Sequence, residues 1–190
     1  MANLVFSLSF MSALLIFALA LASLVLKDFQ FWPPPRKSSW QYHVFWWLFR
    51  VVIAGIMILS VIDLNGLAVL NHPIRLYAGI VLAILGFSLA FYITFYLGWR
   101  NAHGEAEGLK TTGWYAWSRN PVYFVSFFGF IGWAFAVNSA YVYVLFAFLI
   151  AFYIIAPFLE EPWLEKRYGE TYLEYKANVP RFFGIPKVRT

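Results

Sequence analysis

No cysteine occurs anywhere in the 190-residue chain, which excludes disulfides, thiolate metal centres and a cysteine nucleophile and leaves the redox compartment unread. Charge is scarce as well. Only 12% of residues are charged and 62% are hydrophobic, whereas an ordinary soluble domain is about a quarter charged and half apolar. A water-exposed globule of this size has no way to hide so much apolar surface, while a bilayer asks each spanning helix for about 20 apolar residues. The composition is that of an integral membrane protein. Alternating apolar and polar residues, the mark of a barrel strand, are missing, and backbone groups in lipid must then be satisfied within helices. Histidine is limited to three well-separated positions, so no metal-ligand spacing appears and no metal site is expected.

What is present is apolar sequence in long runs. Five stretches, residues 3–26, 44–62, 74–98, 121–137 and 140–158, predict an all-α membrane protein of five transmembrane helices. The first has no charge before Lys27, which fits a retained helix better than a signal peptide. Between the first two lies Trp32-Pro33-Pro34-Pro35-Arg36-Lys37. Its prolines forbid helix and its tryptophan suits the headgroup region. Pro157 and Pro162 are expected to interrupt the fifth helix near the membrane boundary, and Trp163 to Tyr175 continues in amphipathic helical spacing. The chain divides into an N-terminal three-helix membrane region, 1–98, and a catalytic region, 99–190, made of a polar loop, a tight hairpin of helices four and five, and the tail.

Basic residues give the sidedness. With five spans, loops one and three and the tail share one face, which takes 13 of the 14 Lys and Arg and leaves only Arg75 opposite. That bias puts the third loop and the C-terminus in the cytoplasm and the N-terminus outside. The net charge of +5 is scattered over helix ends and the tail, so it reflects membrane orientation and not nucleic-acid binding.

Both polar clusters fall on that cytoplasmic face. At the start of helix four, Arg119-Asn120-Pro121-Val122-Tyr123 offers Asn120 as an N-cap, Pro121 at the first helical position and free backbone N–H groups that attract an anion. At the end of helix five, Glu160 and Glu161 are placed to accept hydrogen bonds from an ammonium or a ribose, or to pair with Arg119. Gly104, Gly108 and Gly113 make the third loop flexible enough for close approach to a ligand. It lacks the glycine-lysine pattern of a phosphate loop, and its single histidine, His103, is a lesser candidate for a base. Most of the aromatic residues suit an interfacial or lipid-facing role, with Tyr115 and Tyr123 available to stack on a cofactor.

Gly113-x-Tyr115-x-x-x-Arg119-Asn120-Pro121-x-Tyr123, then Glu160-Glu161, Tyr168-Gly169-Glu170-x-Tyr172-x-x-Tyr175 and Val179-Pro180-Arg181 together resemble the isoprenylcysteine carboxyl methyltransferase and phospholipid methyltransferase superfamily, over about residues 97–184. The resemblance implies a membrane enzyme that binds S-adenosylmethionine (SAM) on the cytoplasmic side and takes a lipophilic acceptor from the bilayer, with membrane lipids as its surroundings. It implies cofactor contacts from Leu109, Gly113, Tyr115, Asn120, Pro121, Tyr123, Glu160 and Glu161, and roles for Arg119, Glu161 and Arg181 in orienting an acceptor or bracing the site. The carboxyl methyltransferases usually carry His where this chain has Asn120, a side chain that hydrogen-bonds but does not titrate near neutrality. Two other readings stand beside this one: a nicotinamide-dependent reductase of a membrane lipid or sterol, whose family shares an Arg-His-Pro-x-Tyr motif, and a non-catalytic scaffold or transporter. The acceptor and the oligomeric state are not legible in the residues.

Overall fold

The structure is a computed structural model describing residues 1–26, 28–67, 72–103 and 108–184. Lys27, Gly104, Lys187 and Arg189, which entered the charge and loop arguments, lie outside the described residues. Among the described residues the chain forms seven α-helices and one 3-10 turn, with no strand: α1 (Ala2–Val25), α2 (Trp40–Ile62), α3 (Pro73–Leu97), a one-turn α4 (Trp99–Ala102), the 3-10 turn (Gly113–Ala116), α5 (Pro121–Val137), α6 (Ala140–Tyr168) and α7 (Glu170–Asn178). Helices α1, α2, α3 and α6 are long and apolar enough to cross a membrane, and α5 is a shorter apolar helix of 17 residues.

Local chemistry sets the ends. Ser39 caps α2 by accepting the Tyr42 backbone N–H, so that helix starts four residues before its apolar run. His72 caps α3 and Pro73 takes its first position, while Ser139 caps α6. Asn138 stands in the left-handed region at φ 54°, closing the turn between α5 and α6. Arg75 reaches across to the carbonyls of Phe135 and Ala136 at the end of α5, where the helix dipole favours a cation.

Pro157 and Pro162 do not interrupt α6; the helix runs through both for 29 residues. Each proline removes an N–H from the helical ladder, but Pro157 is fully buried and α6 packs on α1, α2 and α5, and that packing keeps the segment helical. At 1.5 Å per residue α6 is about 44 Å long, beyond the roughly 30 Å of a hydrocarbon core. The break comes later, at Gly169 with φ 53°, which redirects the chain into α7.

Two apolar clusters organise the interior. The larger joins α1, α2, α6 and the distal half of α5 around Val52, Leu59, Val142 and Leu145. The smaller joins Ala90 and Ile93 of α3, Tyr115, Val125 of α5, and Tyr172 and Tyr175 of α7. Helices α3 and α5 are in intimate contact because glycines face each other: a Cβ built on Gly86 would lie 2.3 Å from the Gly129 nitrogen, and one on Gly132 2.3 Å from the Ala83 nitrogen. This backbone approach depends on small residues. Outward positions such as Val61, Ile74, Leu85 and Phe95 are exposed, which suits lipid and not water.

Candidate active site

A cavity of about 350 Å³ lies where the two apolar clusters meet. Its lining combines the aromatic residues Trp32, Phe45, Trp46, Phe49, Phe152 and Tyr153 with the polar residues Lys110, Tyr115, Arg119, Asn120, Tyr168 and Tyr172. Tyr123 and Glu160 line it as well. The size falls within the roughly 300–1,000 Å³ of small-molecule sites, which are mostly apolar with a few placed polar groups.

The two neighbouring glutamates have separate tasks, because consecutive residues on a helix do not face the same way. Glu161 is 4% exposed and sits at the centre of an ion cluster. Arg181 grips it through Nε–Oε1 at 2.7 Å and Nη2–Oε2 at 2.8 Å, Arg119 approaches through Nη1–Oε1 at 3.0 Å, and Lys176 through Nζ–Oε2 at 3.4 Å. Glu160 instead turns toward the cavity, where its Oε1 accepts from Trp32 Nε1 at 2.6 Å and from the Tyr123 hydroxyl at 2.5 Å. Expected pairing of a glutamate with Arg119 is thus made by Glu161.

Trp32 is the residue that sequence reasoning missed. It is 6% exposed, and its ring packs at a tilt against Phe45, with centroids 4.2 Å apart. A buried indole needs an acceptor for its N–H, and the Glu160 carboxylate is there. No local pattern links positions 32 and 160.

The tail straps the start of α5. Arg119 N–H donates to the Pro180 carbonyl at 2.9 Å, and Asn120 Nδ2 donates to the Arg181 carbonyl at 2.9 Å. Asn120 stands at the N-cap position, yet its side chain makes no cap bond to α5; it holds the tail instead. Pro121 occupies the first helical position. Gly113 opens the 3-10 turn at φ 60° against the Tyr96 ring, and that turn is fixed by the Tyr175 hydroxyl, which donates to the Tyr115 carbonyl at 2.7 Å. Burial pushes the Tyr115 and Tyr175 phenols up, and raises Tyr172 to about 12 against the opposing pull of Arg119.

Of the residues singled out from the sequence, Leu109, Tyr115, Arg119, Asn120, Tyr123 and Glu160 line the cavity. Glu161 and Arg181 are not among its lining residues, but Glu161 pairs with both Arg119 and Arg181; Gly113 and Pro121 are not among its lining residues either. His103 lines its rim, sandwiched between Trp46 at 4.5 Å and Trp99 at 4.6 Å.

The family model for phospholipid methyltransferases matches residues 74–171, 98 of the chain's 190 residues. The chain belongs to the phospholipid methyltransferase family. Among curated proteins and solved structures none matches the chain. This family of membrane methyltransferases accounts for α3 to the first residues of α7, so the match starts well before the motif region at 97 and takes in the third helix. Trp32, Phe45, Trp46, Tyr175 and Arg181 lie outside the matched segment.

Proposed function

We propose that the protein transfers a methyl group from SAM to a lipophilic or small acceptor at the cytoplasmic face of a membrane. The observation that carries this reading, in a chain of the phospholipid methyltransferase family, is a cavity whose lining combines polar and aromatic residues and includes Glu160, bonded to Trp32 of the aromatic set. Its volume suits a molecule of SAM's mixed character, a polar amino acid and ribose with an aromatic base. Both hydrogen bonds to the Glu160 carboxyl group end on Oε1, which supports a role for its other oxygen in holding the cofactor's ammonium or a ribose hydroxyl.

In this reading Leu109, Gly113, Tyr115, Asn120, Pro121 and Tyr123 hold the cofactor from the 3-10 turn and the start of α5. Arg119 and Arg181 orient the acceptor or brace the site, and the Glu161 carboxylate pairs with both guanidiniums. The catalytic region is residues 99–190, with aromatic residues of 1–98 completing the cavity lining. Five spans, α1, α2, α3, α5 and α6, give the 13-to-1 distribution of basic residues, the N-terminus outside and the site in the cytoplasm.

SAM supplies an electrophilic methyl carbon on a sulfonium. The chain's share is to align the nucleophile with that carbon and exclude water; the aromatic lining of the cavity admits the acceptor. Two measurements test the reading: calorimetric titration of the purified protein with SAM, and transfer of a labelled methyl from SAM into membrane lipid extracts with mass identification of the product. Failure to bind SAM would falsify it.

A further inference from the structure

We propose that Trp32, in the connection between α1 and α2, is a positioning residue that aims the Glu160 carboxylate into the cavity, so that the segment before the matched family region completes the cofactor site. This rests on the reading of Glu160 as a cofactor-holding group.

Three observations carry it. Trp32 Nε1 and the Tyr123 hydroxyl both donate to the same oxygen, Oε1. Both hydrogen bonds to the Glu160 carboxyl group end on Oε1, which restrains its rotation and leaves Oε2 as the other oxygen of a side chain that lines the cavity. Two donors that converge on one oxygen restrict the rotamers open to a long side chain.

The indole is itself immobilised. Its ring packs at a tilt against Phe45 at 4.2 Å and is set edge-on to Phe152 at 6.1 Å. The connection that carries it is tied down by the Phe31 N–H, which donates to Ser23 Oγ at 2.8 Å, and by Gln30 Nε2, which donates to the Pro33 carbonyl at 2.5 Å. Phe31 is fully buried. A connection needed only to join two membrane helices has no reason to bury an aromatic pair and spend its indole N–H on a carboxylate 128 residues away.

The test is calorimetric titration of the purified full chain with SAM, in four forms: wild type, Trp32→Phe, Glu160→Gln and the double variant, with Tyr123→Phe as a second route to the same oxygen. Loss of one positioning hydrogen bond, worth about 1 kcal/mol, predicts that Trp32→Phe raises the SAM Kd about fivefold, and Tyr123→Phe shifts it the same way. On the Glu160→Gln background the added effect of Trp32→Phe shrinks to less than about threefold, because the two changes act through one group. A packing role alone predicts the same factor on both backgrounds. That outcome, or a Trp32→Phe protein that binds SAM as wild type does, overturns the positioning role and leaves the methyltransferase reading standing. A wild type that does not bind SAM, or a Glu160→Gln protein that binds it unchanged, removes the Glu160 assignment and the Trp32 role with it.

Discussion

Arg181 closes on both oxygens of Glu161, Nε to Oε1 at 2.7 Å and Nη2 to Oε2 at 2.8 Å, from a tail segment twenty positions along the chain. The same guanidinium lies 3.9 Å from the centre of the Phe158 ring. Glu161 therefore ties together the end of α6, the loop before α5 through Arg119, α7 through Lys176 and the tail through Arg181. It is a structural hub paired with Arg119 of the cavity lining.

Removing that hub leaves a charge without its partner. Glu161→Ala strands the Arg119 guanidinium, whose side chain is only 8% exposed. Breaking a buried pair from one side costs about 3–5 kcal/mol, so the unfolding free energy in detergent should fall by that amount. Lys176→Ala removes a contact from a side chain that is 38% exposed, and about 0.2–1 kcal/mol is expected there. Comparable losses for the two variants would contradict the hub.

The apolar runs made the helices legible, because each bilayer-length segment announces itself by composition. Their interruptions were misread: the helix runs through Pro157 and Pro162, and at Pro157 the local cost is outweighed by burial in the packing of α6 on α1, α2 and α5, which no local pattern displays. Arg119, Asn120, Tyr123 and the glutamate pair were legible through motif and face. The division of labour between Glu160 and Glu161 was readable in principle from helical geometry, since neighbours point different ways. Trp32 was not, because its partner is fixed only by tertiary packing.

Asn120 holds the Arg181 carbonyl rather than capping α5. Asn120→Ala should therefore loosen the tail more than the helix. The lost hydrogen bond is worth about 1 kcal/mol, which should appear as faster proteolytic cleavage near Pro180–Phe183 and a several-fold weaker SAM affinity, with the helical circular dichroism unchanged. Cleavage at the wild-type rate would show that the tail is secured without this side chain.

The α3–α5 contact has no room for a methyl group. At Gly132 an added Cβ would meet the Ala83 nitrogen at 2.3 Å and the Gly79 carbonyl oxygen at 2.7 Å, and backbone atoms do not yield as a flexible side chain does. Gly132→Ala should cost about 1–3 kcal/mol, the usual range for overpacking, read as a lower midpoint of thermal unfolding in detergent. An unchanged midpoint would mean that the two helices are not so closely packed.

Alkaline stability should report the tyrosines under α7. Burial raises Tyr172 from its ordinary value of 10.0 to about 12, and raises Tyr115 and Tyr175 as well. Each phenol keeps its proton in the folded protein at a pH where the unfolded chain has released it. Their contribution is then complete below pH about 10 and is lost as pH rises through the folded values, at about 1.4 kcal/mol per pH unit for each group. Unfolding free energies measured from pH 9 to 12 should fall steeply in the wild type. Tyr172→Phe should lower that slope by about 1.4 kcal/mol per pH unit between pH 10 and 12 while leaving the slope between pH 7 and 9 unaltered, and a variant that loses stability between pH 10 and 12 as fast as the wild type would show that Tyr172 titrates as it does in the unfolded chain.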